Sequence, residues 1–227
     1  EVHIEQEPSL DSEGLPIGIV TGIPGSRRLR AARVLGEYNH SGATARRYRR
    51  DAAVALAELV HRLDEEWCRL EAEGHAMVCT FCTMATTEEA GFTKIAGEAR
   101  FQLDVRSVDP ASRDLLFAAM GRIIAEIEAR RGVRFDLGLE TGSISAPMDQ
   151  GVRAGLESAA KALGISCRHM ASGAGHDAAA FAEAGVPAAM LFVRNQNGSH
   201  NPKEDMRMED CAAACAVVTR WAAEMGQ

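Results

Sequence analysis

Four histidines lie among acidic, glycine, serine or asparagine residues, where an imidazole is available for chemistry. They are His3 in HIEQEP, His40 in EYNHSGAT, His176 in SGAGHDAAAF and His200 in NGSHNPKED. Imidazole transfers protons near neutral pH and is a common nitrogen ligand of zinc. The last three lie in predicted loops beside element boundaries, where a rigid scaffold displays catalytic groups. A lone histidine of this kind is more often structural, but four in one chain predict a functional site.

The sequence around His176 indicates a second kind of chemistry. The run from Ser172 leads into a predicted helix, whose free N–H groups and positive dipole end favour a substrate anion or a developing oxyanion. The alternative interpretation is a glycine-rich connection in which Asp177 is only a charge at a helix N-terminus. His3 and His200 alone cannot complete a metal site, because such a site needs at least three protein ligands.

The composition argues against several classes of partner. The chain has 227 residues, 46% of them hydrophobic, which suits one large domain or two small ones with cores. Its formal charge of −7 argues against a nucleic-acid surface, and the four arginines of ARRYRRDA (45–52) are interpreted as a solvated helix face. No apolar run approaches the roughly 20 residues that span a bilayer. We therefore expect neither nucleic acid nor a membrane as a partner.

The six cysteines predict a reduced, cytoplasmic protein. They lack the dense, regular spacing of a small secreted domain held by disulfides. The CTFC run (79–82) has CxxC spacing, but it lies in an apolar, strand-like segment with no second CxxC after it. It is interpreted as two buried small hydrophobic residues rather than as a metal or redox site.

The elements that position the histidines follow two different orders of strands and helices. The first order predicts a ferredoxin-like module. Alternating apolar residues predict strands, and apolar residues at helical spacing predict two long helices. The strands cover 2–5, 18–21, 29–36, 76–83, 99–108 and 134–139, and the helices cover 47–73 and 111–131. In the middle of the chain the order is strand, helix, strand, strand, helix, strand, as in a ferredoxin-like split βαβ module. DPAS before the second helix and Gly132 after it are typical caps.

After residue 146 the rhythm changes to alternating helices and short apolar strands, which favours an α/β sandwich with a largely parallel sheet. The predicted helices are 151–163, 177–184 and 208–224, and the predicted strands are 166–170 and 188–193. We predict that 1–24 and 146–227 form part of an α/β domain, with 25–145 inserted between them. Because the sheet of that α/β domain is thin, we expect the domain to lack an N-terminal half.

Several motifs together carry a family resemblance. They are HIEQEP, GIPGSRRLR, GEYNHSGAT with RRDA, IAGEARFQLDVRS, SGAGHDAAAF and VRNQNGSHNP. Their order resembles that of the M20-type amidohydrolases of the N-carbamoyl-L-amino-acid hydrolase, β-ureidopropionase and allantoate amidohydrolase group, over nearly the whole chain. The resemblance implies an α/β metallohydrolase catalytic domain with an inserted ferredoxin-like α+β lid that forms a homodimer.

The resemblance also implies roles for single residues. His3 matches a ligand of one ion in a two-metal site, and His200 matches a ligand of the other ion. Gln6 matches a substrate contact, and Thr93 stands where many members have a substrate-contacting asparagine. Arg106 matches the arginine that holds the carboxylate of a small anionic substrate. Zinc or manganese is the expected metal, with cobalt or nickel as alternatives, because all four accept nitrogen and carboxylate ligands.

Two histidines receive catalytic roles from the same resemblance. His176 faces the substrate, and His40 is supplied by the lid across a dimer interface to the scissile group. In the implied mechanism two bridged cations activate a water, an upstream glutamate removes its proton, and the hydroxide attacks an amide or carbamoyl carbon. His40 and the loop at His176 stabilise the oxyanion.

The sequence departs from the family pattern in ways that matter. Glu7 replaces a glycine of HIEQGP, whose backbone freedom is then lost, and GATARR replaces a segment that contains a second threonine and a proline. The bridging carboxylate, the general base and the remaining ligands of the family lie upstream of His3. We therefore expect the metal site to be incomplete, and we expect a separate N-terminal fragment, removed by proteolysis or deliberate truncation rather than never encoded, because Glu1 is not a methionine.

Three hypotheses about function remain open. The first is metal-dependent hydrolysis of a linear C–N bond in an N-carbamoyl amino acid or a ureide. The second is a dipeptidase or aminoacylase of the same superfamily, which differs in its leaving group and not in its metal chemistry. The third is a non-catalytic fragment that only dimerises or pairs with another chain.

Overall fold

The computed structural model describes residues 1–226 of the chain. These residues form two compact units, one made of Glu1–Pro24 and the residues from Ser145 onward, the other made of Gly25–Ile144. We call them unit 1 and unit 2. No helix in the described range is long and apolar enough to cross a membrane.

The elements alternate between strands and helices along the whole chain. Up to residue 107 they are β1 (Val2–Ile4), α1 (Ser9–Glu13), β2 (Ile17–Val20), β3 (Gly22–Ile23), β4 (Gly25–Leu35), β5 (Asn39–His40), a 3-10 helix (Arg46–Tyr48), α2 (Ala52–Ala72), β6 (Val78–Thr86), β7 (Lys94–Ile95) and β8 (Glu98–Ser107). After residue 107 they are α3 (Pro110–Arg131), β9 (Arg134–Asp136), β10 (Glu140–Ser143), β11 (Ala146–Pro147), α4 (Gln150–Ala162), β12 (Cys167–Met170), α5 (Ala178–Glu183), β13 (Leu191–Val193) and α6 (Met208–Met225).

Unit 1 is a four-stranded sheet in the order β1-β13-β2-β12, with an apolar core on each face. The pairs β1–β13 and β12–β2 are parallel, and β13–β2 is antiparallel. Because side chains alternate between faces along a strand, Ile17 and Ile19 pack with α4 and α6 while Val20 packs with Leu10 and α5 on the other face. Each buried side chain of this size contributes about 1.5–3 kcal/mol.

Unit 2 is an antiparallel sheet and two long helices, which share one apolar core. The strand order is β10-β4-β8-β6, and β9 also pairs with β4. In β8 every second residue is buried, from Ala99 to Ser107, and these residues share one core with apolar residues of α2 and α3. The intervening residues, among them Asp104 and Arg106, point to the opposite face of the sheet.

The caps of the long helices follow from their sequences. The Asp51 carboxylate accepts hydrogen bonds from the N–H groups of Ala53 and Val54 at 3.1 and 3.2 Å, so α2 begins at Ala52. Helix α3 begins after Asp109 with a proline and ends at Gly132, whose φ of 66° is left-handed. The predicted caps of the second helix are therefore confirmed.

Three predictions from the sequence are wrong. The helix predicted from residue 47 begins at Ala52, because the carbonyl of Arg50 is used by the Glu37 N–H and the preceding residues form a 3-10 helix. The strand predicted over 134–139 ends at Asp136 as β9, because Gly138 turns the chain with a φ of 65° before β10 begins at Glu140. Cys82 is exposed rather than buried, and Cys79 is half-buried.

The chain runs from unit 1 into unit 2 and later back into unit 1. The residues on either side of these two connections belong to paired strands. In unit 1, Ile23 of β3 pairs with Ala146 of β11. In unit 2, Ser26 of β4 pairs with Ser143 of β10, and their hydroxyl oxygens are 3.1 Å apart. The two ends of unit 2 therefore lie side by side.

Candidate active site

His3 lies in the middle of β1, where the backbone determines which ring nitrogen carries the proton. It stands opposite Phe192 in the parallel pairing with β13. The His3 Nδ1 is 2.7 Å from the carbonyl oxygen of Ile4. Since a carbonyl oxygen only accepts hydrogen bonds, Nδ1 carries the proton and Nε2 keeps the lone pair that a metal ion needs.

His176 packs edge-on against His3. Their ring centroids are 4.6 Å apart with an interplanar angle of 71°, and the Phe192 ring is 5.6 Å from His176. The His176 Nε2 is 2.8 Å from Ser172 Oγ, and this hydroxyl also donates to the carbonyl of Ala174. Burial, and then the charge of His3, lower the pKa of His176 below its ordinary value. The environment of the ring therefore favours its neutral form.

Gln6 connects the residues after β1 to the loop after β13. Its backbone N–H donates to Asn195 Oδ1 at 2.8 Å, and its side-chain amide donates to Ser199 Oγ at 3.3 Å. Asn195 is almost completely buried, and its amide donates to the carbonyl of Gly198 at 2.9 Å. These bonds hold Gln6 against the loop that carries His200.

A carboxylate lies beside His200. The His200 backbone N–H donates to Glu204 Oε2 at 2.9 Å. Hydrogen bonds from the Ser199 hydroxyl and from this N–H, followed by the nearby charges of His200 and His3, hold the pKa of Glu204 below its ordinary value. The structure thus brings His3 and His176 into contact in unit 1, and it joins Gln6 to Ser199, the residue before His200.

Three residues of this region have a left-handed backbone that side chains disfavour. The φ angles are 69° for Gln6, 65° for Asn197 and 59° for His200, and no other non-glycine residue in 1–226 has a positive φ. A left-handed residue costs about 1–2 kcal/mol and persists only where surrounding contacts determine it. Here those contacts are the bonds to Asn195 and Glu204, so the site is the most strained part of the described chain.

The donor set fits part of a metal centre. His3 presents a free Nε2, and His200 lies beside the Glu204 carboxylate, which is the nitrogen and oxygen chemistry that divalent transition metals prefer. Within residues 1–226, no group of three or more His, Cys, Asp or Glu side chains is arranged to hold a metal ion. A two-metal centre at this place would need further ligands from outside the described residues.

His40 and Thr93 lie together in unit 2. The short strands β5 and β7 pair with His40 opposite Lys94, and the Ser41 N–H donates to the Thr93 carbonyl at 2.9 Å. The His40 Nδ1 accepts from the N–H groups at 42 and 43, at 3.1 and 3.0 Å. Nδ1 therefore carries the lone pair, and Nε2 keeps the proton and is a hydrogen-bond donor.

Arg106 lies on the face of β8 that is turned away from the helices, where it pairs with a neighbour on its own strand. Its Nε and Nη2 donate to Asp104 Oδ2 at 3.0 and 2.8 Å. Asp104 also accepts from Arg28 at 3.3 Å. The ion pair with Asp104 is the alternative to the substrate role that the resemblance implies for Arg106.

Four polar residues of the site do not stand out in the sequence. Ser172 and Asn195 are buried and orient His176 and Gln6, and Glu204 bonds to the backbone of His200. The fourth is Glu5. Glu5 Oε2 accepts from the Leu10 N–H at 2.9 Å, while Oε1 is buried without a hydrogen-bond partner in the described chain, and burial raises its pKa. All four lie within the motifs quoted above around His3, His176 and His200, but their residue types do not single them out there.

Comparison with known proteins gives consistent matches over most of the chain. A sequence model described as Peptidase family M20/M25/M40 matches residues 1–224. Allantoate amidohydrolase of Bacillus subtilis (strain 168) is 34% identical over 205 residues, which are 90% of this chain and 48% of that protein. N-carbamoyl-L-amino acid amidohydrolase of Geobacillus stearothermophilus is 34% identical over 237 residues, covering 100% of this chain and 54% of that protein. The chain spans about half the length of these relatives.

Solved structures show the same mixed α/β fold. An amidase of the hydantoinase/carbamoylase family from Burkholderia phymatum superimposes with a TM-score of 0.84 at 30% identity, over 99% of this chain and 54% of the amidase. A tripeptidase from Staphylococcus aureus superimposes with a TM-score of 0.70 at 18% identity, over 90% of this chain and 52% of the tripeptidase. At the lower identity the similarity concerns the fold alone.

Proposed function

Because this chain belongs to peptidase family M20/M25/M40, we propose that it is part of a metal-dependent amidohydrolase that cleaves a linear C–N bond in an N-carbamoyl amino acid or a ureide. The names of two relatives at 34% identity support the reaction class. The observation that carries the proposal is the contact of His3 with His176 and of Gln6 with the loop of His200, where all the left-handed non-glycine residues within 1–226 lie.

His3 and His200 are the residues that we propose to hold two divalent ions, with zinc or manganese first and cobalt or nickel as alternatives. When bound, such ions supply Lewis-acid polarisation of the scissile carbonyl and lower the pKa of water. The free Nε2 of His3 supports this role. The remaining ligands and the general base are proposed to come from a separate N-terminal portion of the protein.

Other residues of the chain bind and orient the substrate in this proposal. A substrate role for Gln6 and His176 is supported by their contacts with Ser199 and with His3, and the neutral form of the His176 ring, which burial favours, accepts or donates one hydrogen bond without adding charge. Arg106 provides a planar fork for the carboxylate of a small anionic substrate, with Thr93 as a neutral contact. The protonated Nε2 of His40 donates to the oxyanion that forms at the scissile carbon.

Unit 2 is proposed to be a ferredoxin-like lid that forms a homodimer. Its order of strand, helix, strand, strand, helix, strand and its sheet order β10-β4-β8-β6 support the module. Strand β6 is at the edge of that sheet with Val78 and Met84 exposed, so its free backbone groups are available to a second copy.

Unit 1 also has an edge strand and an apolar surface on which a partner segment would pack. Strand β1 is an edge strand, and beside it lies an apolar groove of about 600 Å³ whose walls include Val2, Phe181 and Trp221. A further parallel strand and its helix would cover such a surface. This supports the proposal that an N-terminal portion packs here and completes the metal site.

The test is an assay of the full-length protein with N-carbamoyl amino acids and with allantoate. We expect hydrolysis that is lost on metal chelation and restored by Zn²⁺ or Mn²⁺. His200→Ala should reduce kcat by at least about 100-fold, whereas Glu224→Gln, an exposed change far along α6, should leave it unchanged. Residues 1–227 alone should be inactive, because two histidines leave the ions under-coordinated.

The same assay decides between the alternatives. Faster hydrolysis of dipeptides or N-acyl amino acids would show a dipeptidase or aminoacylase. No hydrolysis of any compound by metal-loaded full-length protein would contradict the proposal and favour a non-catalytic role in dimerisation.

A further inference from the structure

Arg49 differs from the other three arginines of its segment. Arg46, Arg47 and Arg50 are exposed, whereas Arg49 is half-buried. Within residues 1–226 no carboxylate forms an ion pair with Arg49. Its backbone N–H closes the 3-10 helix by donating to the carbonyl of Arg46 at 3.2 Å, and that bond does not involve the side chain. The guanidinium is therefore neither a solvated charge nor half of an ion pair.

The Arg49 guanidinium bridges two carbonyls of the turn that carries His40. Its Nε donates to the Thr44 carbonyl at 2.9 Å, and its Nη2 donates to the Ser41 carbonyl. Nε and Nη2 lie on one edge of the planar guanidinium, so both bonds form together only while the two carbonyls keep their spacing. Arg49 thus fixes the separation of residues 41 and 44.

The bridged carbonyls enclose the backbone groups that orient the His40 ring. Gly42 and Ala43 lie between them in the chain, and their N–H groups donate to His40 Nδ1 at 3.1 and 3.0 Å. The Thr44 N–H also donates to the His40 carbonyl at 3.1 Å. Because these bonds depend on the shape of the turn, the bridge keeps the lone pair at Nδ1 and the proton at Nε2.

Asn39 supports the same turn without duplicating the bridge. Its Oδ1 accepts from the Thr44 hydroxyl at 3.2 Å and from the His40 N–H at 3.3 Å. The Ser41 N–H donates to the Thr93 carbonyl, which joins the turn to β7. These bonds use other groups than the two carbonyls that Arg49 holds. Loss of the Arg49 side chain should therefore loosen the turn without detaching it from β5 and β7.

We propose that Arg49 is a positioning residue, which holds the His40 turn so that His40 Nε2–H donates to the oxyanion at the scissile carbon. The inference rests on the proposed function, because it concerns one step of that reaction. Since the oxyanion develops in the transition state, the bridge lowers the barrier to hydrolysis and contributes little to substrate binding. An arginine that bound the substrate itself would act on KM instead.

The test measures kcat and KM of the full-length, metal-loaded protein with N-carbamoyl amino acids. Arg49→Ala removes the bridge and should lower kcat by about 10- to 100-fold, with KM within about threefold of wild type. Arg50→Ala is the matched control, because it removes a neighbouring arginine whose guanidinium donates to the exposed Glu37 carboxylate. It should change kcat by less than about twofold.

Added guanidinium ion separates positioning from a general loss of structure. The ion carries the same planar pair of N–H donors, so at a concentration far below the denaturing range it should raise kcat of Arg49→Ala at least about fivefold. Ammonium at the same concentration lacks the fork and should not raise kcat. Neither ion should raise kcat of Arg50→Ala.

Arg49→Lys keeps the stem and the charge, and it replaces Arg49→Ala in the test if the alanine variant does not fold. An ammonium group is a point charge without the fork, so kcat should fall about tenfold or more with KM unchanged. Hydrogen exchange measured by mass spectrometry gives a readout that is independent of activity. The amides of Gly42 and Ala43 should exchange at least about tenfold faster in this variant, while those in the interior of α2 keep their wild-type rates.

The outcomes that overturn the inference differ from those that overturn the reaction. A kcat within about twofold of wild type in both Arg49 variants, or a rise in KM without a loss of kcat, would overturn the positioning role while the hydrolysis stands. So would a loss of kcat that guanidinium does not restore, or faster exchange throughout α2, which would show that Arg49 only supports the fold of unit 2. If the wild-type protein hydrolyses neither N-carbamoyl amino acids nor allantoate, the proposed function fails, and the role of Arg49 fails with it.

Discussion

At the scale of single residues, Arg106 and Arg28 share the Asp104 carboxylate but differ in their geometry. Arg106 reaches Asp104 with two nitrogens at 3.0 and 2.8 Å, whereas Arg28 reaches it with one nitrogen at 3.3 Å. Both side chains are about one-third exposed, so each retains access to solvent and to a small ligand. The two arginines are therefore a matched pair for separating a substrate role from an ion pair.

Arg106→Lys keeps the charge but loses the planar fork. If Arg106 holds the substrate carboxylate, kcat/KM of the full-length enzyme should fall about 100-fold or more, on the order of 3 kcal/mol. Arg28→Lys is the control and should change kcat/KM by less than about threefold. Equal, small effects of both substitutions would show that Arg106 has a structural role and does not hold the substrate.

A second residue pair should control stability rather than catalysis. Arg194 and Asp210 form two hydrogen bonds of 2.9 Å, with side chains only 12% and 5% exposed, and connect the end of β13 to the start of α6. Asp210→Leu leaves a buried, unpaired guanidinium and should lower the free energy of unfolding by about 3–5 kcal/mol. Urea unfolding followed by circular dichroism measures the change.

The double variant tests the cause of that loss. Arg194→Met with Asp210→Leu removes both charges and should recover most of the stability that the single variant loses. Glu224→Gln breaks the exposed pair with Arg220 on the same helix and should cost less than about 1 kcal/mol. A double variant as unstable as the single one would mean that packing, and not the unpaired charge, is responsible.

The residue types of the site could be selected from the sequence, but their supports could not. His3, His176 and His200 are recognisable because each stands among glycine, asparagine or acidic residues. Asn195 and Ser172 are ordinary loop residues until the fold buries them against Gln6 and His176. The glycine that the family has at position 7 would suggest a left-handed backbone at that residue. In this chain the left-handed residue is Gln6, and no sequence pattern predicts it. The roles of the selected residues stay predictions.

At the scale of elements, periodicity predicted the long helices and the core strands, because those depend on their own apolar pattern. Helix α3 and its caps at Asp109 and Gly132 are confirmed. The two-residue strands β3, β5, β7 and β11 were missed, because each exists only through pairing with a distant partner, as β5 does with β7. This limit affects the candidate site residues, because His40 lies in β5, which is one of these short strands.

A bulge in β6 explains why the two cysteines of the CTFC run are not both buried. The pairing with β8 shifts between Phe81 and Thr83, which leaves Cys82 as the extra residue and exposes it. Burial, followed by the negative charge of Asp64, raises the pKa of the Cys79 thiol to about 12. Cys82 is therefore the accessible thiol, and Cys79 is the thiol whose ionisation is suppressed.

Alkylation should distinguish these cysteines. With iodoacetamide at pH 8, we expect Cys79 to react at least about 100-fold more slowly than Cys82, because the thiolate is the reactive form. Peptide mapping by mass spectrometry measures both rates in the native protein, with the exposed Cys68 and Cys215 as internal references. Similar rates for Cys79 and Cys82 would mean that β6 opens readily.

At the scale of the whole molecule, the mixed α/β class and the family resemblance predicted from the sequence are confirmed. The lid, the dimer, the cytoplasmic location and the separate N-terminal portion stay predictions. One chain cannot test them, because a dimer interface needs a second copy and a completed metal site needs ligands from other residues.

The proposed donation of His40 across the dimer has a direct consequence for mixed dimers. His40→Ala and His200→Ala should each inactivate the full-length enzyme, but a mixed dimer has one site with intact metals and an intact donated histidine. Random mixing makes about half of the dimers mixed, so activity should return to about a quarter of wild type. The measurement is kcat after subunit exchange.

Exchange must be verified independently for that result to be interpreted. Labelling each variant with a different fluorophore at its N-terminus shows mixed dimers by energy transfer. Confirmed mixing without recovery would show that His40 acts within its own subunit or not at all. Mixing His40→Ala with a second His40 variant, such as His40→Gln, is the matched control and should recover nothing.

The side-by-side ends of unit 2 predict that unit 2 folds before unit 1. Unit 1 joins residues that are separated by an insertion of about 120 residues, and closing so long a flexible loop costs about 4 kcal/mol in chain entropy. Once unit 2 folds, the pairing of Ser26 with Ser143 removes most of that cost, because it delivers Ile23 and Ala146 to each other. We therefore expect mutations that weaken the core of unit 2 to slow the folding of unit 1, and with it the assembly of the candidate active site, although they lie outside that site.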